Sequence, residues 1–356
     1  MRPRLTELDG LRGIASLMVV LYHYPGRYLH QDFYDLFFIR KAYTFVDFFF
    51  VLSGFVIAYN YSSLVSFQEF KVFYKKRFIR LYPMLFFSVL VYFSFRVFAI
   101  YFFPSVVDSN TNIEGLVMKT LDSLLFTNST PILGSTTGLN LPSWSISSEM
   151  ISYFVFGIIA LISNLRVKNS IYLALTLVSG IILFNLGTLF KLGDYGFIRG
   201  LFSFLLGYFV WKISLENFRL KNYLEYAIPF LIVACLYILS ITQEKGTGLL
   251  FEFVVPVVFG LAILIIVKAD GFLSKLLNSG PVQFLGNISY SLYLNHFLII
   301  LVVPQLLFKF LKLENNGFNQ FSVFCVSLAI SVMYSYLTYK YIELRFSSIL
   351  KKYFLR

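Results

Sequence analysis

Four of the ionisable side chains in the long apolar stretches of the sequence stand out, because they lie well inside these stretches: His23, Asp47, Glu149 and His296. Ionisable groups at membrane depth are costly and normally face a protein interior or a water-filled cavity. Counting residues from the ends of these stretches places all four groups in the middle or outer half of a bilayer. Their common depth predicts one shared polar cavity that can move a proton. A purely structural network of buried pairs is the alternative.

Arg12 and His23 lie 11 residues apart in the first of these stretches. On a helix, 11 steps of about 100° return to within roughly 20° of the same face and rise about 16 Å. Arg12 therefore lies near one end of the predicted helix, where it can pair with Asp9, and His23 lies past the middle on the same stripe. The alternative for His23 alone is a neutral imidazole bonded to a neighbouring helix.

Arg77 and Arg80 precede a further apolar stretch and are three residues apart, so both can point in one direction at the mouth of a helix. Their guanidinium groups suit phosphate, as in a nucleotide-bearing acyl donor, and they suit lipid headgroups equally well. The sequence has no spacing of Cys and His residues typical of a metal site, so no metal is predicted.

The composition indicates that these residues belong to a membrane protein. Hydrophobic residues make up 58% of the 356 residues and charged residues only 13%, which is more apolar surface than one soluble core could bury. A net charge of +12 would suggest a nucleic acid partner in a soluble protein. Basic loops on one membrane face explain that charge here, and no nucleic acid partner is predicted.

About ten stretches are long and apolar enough to span a membrane as helices, which need about 20 residues each. The predicted fold is therefore all-α and polytopic, with residues 1–356 forming one transmembrane domain and no fused soluble domain. Most of the 30 Lys and Arg residues fall in loops on the side of the two termini, which places both termini in the cytoplasm. The spans are approximately 9–29, 43–61, 81–103, 144–163, 170–190, 197–213, 223–242, 249–267, 287–308 and 318–340.

Two of the predicted connections differ from the short ones. Residues 67–80 are strongly basic and are predicted to anchor the chain at the cytoplasmic interface. Residues 104–143 form the longest outward loop, with an amphipathic piece at about 114–126. Long loops of this kind are often functional.

Five motifs, taken in order along the chain, resemble the bacterial integral-membrane acyltransferases known as acyltransferase 3. The resemblance covers the chain from the first predicted helix to the last. The chain departs from the family's common WSLSVEEQFY form at Met150, Ile151 and Ser152, and it has Asn295 where a tryptophan often precedes the histidine. The motifs are LDGLRGIASLMVVLYH (Leu8 to His23), VDFFFVLSGFVI (Val46 to Ile57), RFIRLYP (Arg77 to Pro83), WSISSEMISY (Trp144 to Tyr153) and GNISYSLYLNH (Gly286 to His296).

The resemblance implies an enzyme of the bacterial inner membrane that takes an acyl group, usually acetyl from acetyl-CoA in the cytoplasm. The implied acceptor is a hydroxyl of a surface polysaccharide such as O-antigen or exopolysaccharide, and membrane lipid is a further partner. The resemblance also implies that the pair Arg12 and His23 and the pair Arg77 and Arg80 are functionally essential. Other residues align with motif positions of the family, namely Asp47, Ser53, Trp144, Ser145, Glu149 and His296.

Together, the residues and the resemblance predict that His23 is the general base for the attacking hydroxyl. A neutral imidazole, with an ordinary pKa of about 6.5, accepts a proton at neutral pH better than a carboxylate does. Glu149 or Asp47 is expected to orient the ring and to stabilise the imidazolium. A covalent acyl-histidine at His23 is the alternative, and the sequence does not choose between the two.

On the donor side, Arg77 and Arg80 are expected to hold the phosphates of CoA while its pantetheine arm enters the bundle beside Arg12.

A transporter or flippase of a lipid-linked glycan is the main alternative function, and a glycan polymerase is a third. A transporter is expected to show internal repeats, and the sequence shows none. Several aromatic residues are candidate cavity walls or ordinary packing, namely Tyr82, Trp144, Tyr153 and Tyr290.

Overall fold

The computed structural model describes residues 3–102, 112–133 and 137–354. These residues contain no β-strand, which confirms the predicted all-α class. In chain order the α-helices are α1 (Thr6–His23), α2 (Gln31–Tyr34), α3 (Phe37–Arg40), α4 (Phe45–Tyr61), α5 (Phe67–Phe102), α6 (Ile113–Leu124), α7 (Ser143–Ala160), α8 (Leu165–Asn185), α9 (Gly196–Ser214), α10 (Ala227–Glu244), α11 (Leu249–Lys268), α12 (Phe272–Leu277), α13 (Gly280–Phe310), α14 (Gly317–Thr338) and α15 (Arg345–Phe354). A π-helix, Tyr339–Leu344, joins α14 to α15.

Eight helical segments of the described chain are long and apolar enough to cross a membrane, which confirms a polytopic membrane protein. The helices of the first and fourth predicted spans, α1 and α7, are outside this set. α1 carries Glu7, Asp9 and Arg12, and the first half of α7 is rich in serine. Most of α7 is buried, and α1 packs against α13 and α4, so their polar side chains meet other helices. The count of ten spans and the direction of insertion stay predictions.

The structure corrects two predicted boundaries. α5 is one helix of 36 residues, so the basic stretch 67–80 is its first part rather than a separate connection. Phe70 and Phe73 in this stretch are buried and contact rings of α7, which gives the helix an apolar face before the predicted span begins. α1 ends at His23, because Tyr24 is already extended. The amphipathic piece predicted at 114–126 is confirmed as α6, and part of its loop lies outside the described residues.

Glycines allow two pairs of helices to approach closely. A Cβ atom on Gly13 of α1 would lie 2.6 Å from the backbone nitrogen of Gly286 on α13. A Cβ atom on Gly54 of α4 would lie 1.8 Å from the carbonyl oxygen of Phe204 on α9, and Gly207 makes a similar contact with α4. Only a hydrogen atom fits at these positions, so small residues at the interface set how closely each helix pair can pack.

Candidate active site

α1 and α13 bring His23 and His296 into contact, although 273 residues separate them along the chain. The Nε2 atom of His296 lies 3.1 Å from the Nδ1 atom of His23. His296 is fully buried and His23 is half-buried. Each histidine lies ten residues after the glycine at which the two helices touch, Gly13 or Gly286. The helices therefore run parallel and keep their register as far as the histidines.

The hydrogen bonds of the pair assign its protons. The Nδ1 atom of His296 lies 3.1 Å from the carbonyl oxygen of Leu292, and that of His23 lies 3.0 Å from the carbonyl oxygen of Val19. Because a carbonyl oxygen only accepts, both Nδ1 atoms carry a hydrogen. Nε2 of His296 then accepts a hydrogen bond from the Nδ1–H group of His23. The carbonyl oxygen of Val19 accepts from the same hydrogen. This tautomer leaves the lone pair on His23 Nε2, the nitrogen that can act as a base.

Asp47 belongs to a separate buried ion pair with Arg199 of α9. Its carboxylate accepts hydrogen bonds from Arg199 Nη2 at 2.7 Å, Arg199 Nε at 3.1 Å and Ser203 Oγ at 3.1 Å. Trp144 and Phe190 flank the guanidinium, with ring centroids 5.2 and 5.0 Å away. Sequence reasoning misses Arg199, because it lies near the edge of a predicted span, where arginines are common. The apolar residues on either side of it were the available signal.

Glu149 forms a second cluster with Ser53 and Tyr153. Ser53 Oγ donates to Glu149 Oε1 at 2.6 Å and lies 2.9 Å from the hydroxyl of Tyr153, which also bonds to Glu149 Oε1. α4 supplies the serine and two successive turns of α7 supply the other two side chains. The prediction that a carboxylate orients His23 is therefore wrong, because Asp47 and Glu149 bond to other groups. His296 is the residue that contacts the imidazole of His23.

A cavity of about 840 Å³, its open mouth included, lies beside the Glu149 cluster. Five of the predicted residues lie outside its wall in the described structure: His23, Asp47, Tyr82, Trp144 and His296. The prediction of one cavity shared by all the ionisable groups is therefore corrected, because helix rotation directs these side chains to different neighbours. The other predicted residues line the wall, namely Arg12, Ser53, Arg77, Arg80, Ser145, Glu149, Tyr153 and Tyr290.

Tyr293 connects the cavity to the histidine pair. It lines the cavity, and its ring centroid lies 6.2 Å from that of His296. Its hydroxyl is 2.7 Å from Ser145 Oγ, and both residues are buried. Tyr293, whose hydroxyl meets Ser145, therefore forms a partition between the cavity and His296.

A second cavity, of about 1240 Å³ with open solvent included, adjoins the first on the predicted cytoplasmic side. Arg12, Arg77 and Arg80 line both cavities, so the structure brings the three predicted donor-binding residues together. Nη1 of Arg12 lies 3.1 Å from the carboxylate of Asp9, which confirms the predicted pair. The junction of the two cavities is therefore lined by guanidinium groups.

Of the three arginines at this junction, Arg77 is the one whose positive charge is least compensated by neighbouring anions. Its Nη2 atom donates to the hydroxyl of Tyr61 at 3.3 Å, and its Cζ lies 5.2 Å from the centroid of that ring. Within the described residues, no carboxylate oxygen lies within 4 Å of this guanidinium. Its Nε atom is buried and has no acceptor there. The site can therefore accept an anion such as a phosphate.

Comparison with known proteins identifies the family of this chain. Residues 5–340 match the family described as an acyltransferase domain. The chain belongs to this acyltransferase family. The match confirms the resemblance carried by the five motifs and weighs against the transporter alternative. No solved structure matches the chain.

This acyltransferase chain is similar to two named relatives. It is 26% identical over 341 residues to the peptidoglycan O-acetyltransferase OatA of Listeria monocytogenes, a match that covers 86% of this chain and 51% of the relative. It is 27% identical over 335 residues to the putative peptidoglycan O-acetyltransferase YrhL of Bacillus subtilis, covering 83% and 48%. The chain spans about half the length of these relatives. A shorter segment of 83 residues is 37% identical to Protein 2 in picA locus of Rhizobium radiobacter.

Glu343 is a residue of this acyltransferase that sequence reasoning misses. It lies beyond the last predicted span, on the π-helix, and its position between Lys340 and Arg345 was the available signal. Its Oε2 atom accepts from Ser291 Oγ at 2.8 Å, and its Oε1 atom lies 3.7 Å from Nη1 of Arg80. π-helical turns are rare and frequently occur at functional sites. Glu343 also lines the second cavity.

Proposed function

We propose that this protein is an O-acyltransferase of the bacterial inner membrane that moves an acetyl group from acetyl-CoA to a hydroxyl of a cell-envelope polysaccharide. The observation that carries the proposal is the convergence of Arg12, Arg77 and Arg80 on two adjoining cavities that lead towards a histidine pair. Membership of an acyltransferase family and similarity to two relatives named as peptidoglycan O-acetyltransferases support acyl transfer to a glycan.

The arginines fit the phosphates of the donor. A guanidinium forms strong, charge-assisted hydrogen bonds with phosphate oxygens, and Arg77 offers a buried N–H that has no acceptor among the described residues. Arg12, Arg77 and Arg80 would hold the phosphate groups at the junction of the cavities. The donor itself supplies an acyl group activated as a thioester. The first cavity then directs the acyl end towards Ser145 and Tyr293.

His23 carries the proton transfer in this proposal. Its Nε2 atom takes the proton of the attacking hydroxyl and returns it to the thiolate that leaves, so the imidazole ends in its starting state. While the ring is charged, its Nδ1–H remains directed at His296 Nε2 and at the carbonyl of Val19, and both hydrogen bonds stabilise the charge. In a covalent route the same Nε2 lone pair would attack the acyl carbon.

The acceptor in this proposal is peptidoglycan, a choice supported by the names of the two relatives. O-antigen and exopolysaccharide are the other glycans of the same chemical class. The mass of each purified envelope glycan, compared between cells with and without the protein, identifies both substrates. The mass increment identifies the acyl group, and the fragment that carries it identifies the sugar. No increment on any envelope glycan would refute the proposed acceptor class.

The donor site is tested with membranes that contain the protein and with labelled acetyl-CoA. We expect Arg77→Ala and Arg80→Ala each to raise the KM for acetyl-CoA by roughly tenfold or more, since a hydrogen bond to a charged group contributes about 1.5–3 kcal/mol. His23→Ala is expected to lower kcat by about 10²- to 10⁴-fold. Lys76→Ala is the matched control, because Lys76 is exposed on the same helix but lines neither cavity. If the KM for acetyl-CoA is unchanged in both arginine variants, the donor-binding role is refuted and the alternative, contact with lipid headgroups, stands.

A further inference from the structure

Glu343 is a buried carboxylate that the proposed reaction does not use. Its side chain is only 2% exposed, and its Oε1 atom has no hydrogen-bond donor within the described structure. A carboxylate in such a place is costly unless a cation compensates it. Arg80 is that cation, and it also lines both cavities of the proposed donor site.

The contact between Glu343 and Arg80 is looser than the pair of Asp9 with Arg12 and the buried pair of Asp47 with Arg199. The atoms Oε1 and Nη1 are 3.7 Å apart, which is too far for a hydrogen bond. By contrast, Arg199 bonds to Asp47 at 2.7 Å. The side chain of Arg80 is 49% exposed, while Ser291 holds the carboxylate of Glu343 from its other oxygen. Arg80 therefore faces the cavity without a hydrogen bond to Glu343, whereas Ser291 holds the glutamate.

We infer that Glu343 is the exchangeable counter-ion of Arg80. It neutralises the guanidinium while the cavity holds no donor, and a phosphate group of the donor takes its place when the donor binds. This inference rests on the proposed function, because it assigns a phosphate-bearing ligand to the same cavities. It deepens that function by assigning an acidic residue to the donor site, where it competes with the ligand.

The direction in which one substitution changes the Kd for the donor separates this role from a structural one. If Glu343 only positioned Arg80, removing its charge would weaken donor binding. If Glu343 competes with the phosphate, its neutral replacement frees Arg80 and binding becomes tighter. We expect Glu343→Gln to lower the Kd for coenzyme A by about threefold to tenfold, since Arg80 is half exposed and its Coulomb attraction is partly screened.

The experiment measures binding to the purified full chain in nanodiscs, with two probes. Coenzyme A carries phosphates and pantetheine carries none, so only coenzyme A should bind more tightly to the Glu343→Gln variant. In an Arg80→Ala background, the same substitution should have no further effect on the Kd. Glu216→Gln is the matched control, because it removes one exposed acidic charge that lines neither cavity.

A second variant keeps the test decisive if the π-helix itself is disturbed. Ser291→Ala removes the hydrogen bond to Glu343 but keeps its charge, so it should not tighten the binding of coenzyme A. Tightening in Ser291→Ala as large as in Glu343→Gln would assign the effect to loosened packing and overturn the inference. An equal or higher Kd in Glu343→Gln, with wild-type protein that binds coenzyme A, would overturn this inference alone. Wild-type protein that binds no coenzyme A would overturn the proposed donor site and, with it, the inference.

Discussion

Replacing His296 by leucine is expected to lower the rate of acyl transfer without abolishing it. The substitution removes the Nε2 acceptor that lies 3.1 Å from His23 Nδ1, but the carbonyl of Val19 remains 3.0 Å from the same nitrogen. The hydrogen therefore stays on Nδ1, and Nε2 of His23 keeps the lone pair that acts as base. The loss is one hydrogen bond to the imidazolium that forms during the reaction.

The expected magnitude follows from that single bond. A hydrogen bond to a charged group contributes about 1.5–3 kcal/mol, and about 1.4 kcal/mol corresponds to a tenfold change in rate. The kcat of His296→Leu should therefore fall by roughly 10- to 150-fold. Removal of the base in His23→Ala should cost more, about 10²- to 10⁴-fold. Because leucine has a volume close to that of histidine, the buried site should remain filled.

The assay is the kcat of purified protein at saturating acetyl-CoA, with thermal unfolding as the check on folding. His296→Gln is the matched variant, because its amide oxygen can accept from His23 and its amide nitrogen can donate to the carbonyl of Leu292. It should recover a clear part of the lost rate. A wild-type kcat in His296→Leu, or equal rates in the two variants at equal stability, would refute the assigned role of His296.

Two further predictions concern the packing around the site. Asp47→Asn leaves Arg199 buried without its anion and is expected to destabilise the protein by about 3–5 kcal/mol; an unchanged unfolding temperature would contradict the buried pair. Gly54→Ala places a methyl group 1.8 Å from the carbonyl oxygen of Phe204, so little folded protein should elute in size-exclusion chromatography. Gly280→Ala is its control, since an added Cβ atom there would meet nothing within 4 Å in the described part of the chain, and equal yields from both variants would count against the close contact.

The contact of His23 with His296 agrees with the common level that the sequence predicts for them, whereas the predicted partners of Asp47 and Glu149 are wrong. The level follows from counting residues along apolar stretches, because each residue of a helix rises by a fixed amount. Arg77 and Arg80 were recognisable because three-residue spacing puts both on one face of a helix, and both line the predicted donor cavity.

The partners depend on how each helix is rotated about its axis, and packing decides this rotation. The sequence predicts Asp47 near His23, but the close approach of α4 and α9 turns it towards Arg199. Glu149 is turned in the same way towards Ser53. Glu343 lies outside any predicted span, so no depth argument applied to it. A change of one residue rotates a side chain by about 100°, and no pattern in the sequence resolves that angle between helices.

The glycine contact between α1 and α13 packs the helices that carry the two histidines tightly against each other. Tyr293 belongs to α13, whereas Ser145, its hydrogen-bond partner in the partition, belongs to α7. In the proposed reaction, an acyl group that passes from the cavity to the histidines must part this hydrogen bond, by a shift of α7 relative to α13 or by a turn of the Tyr293 ring. Neither change acts on the contact between α1 and α13 that sets the spacing of the two imidazoles. That reaction therefore assigns access to His23 and the geometry of its proton transfer to different pairs of helices.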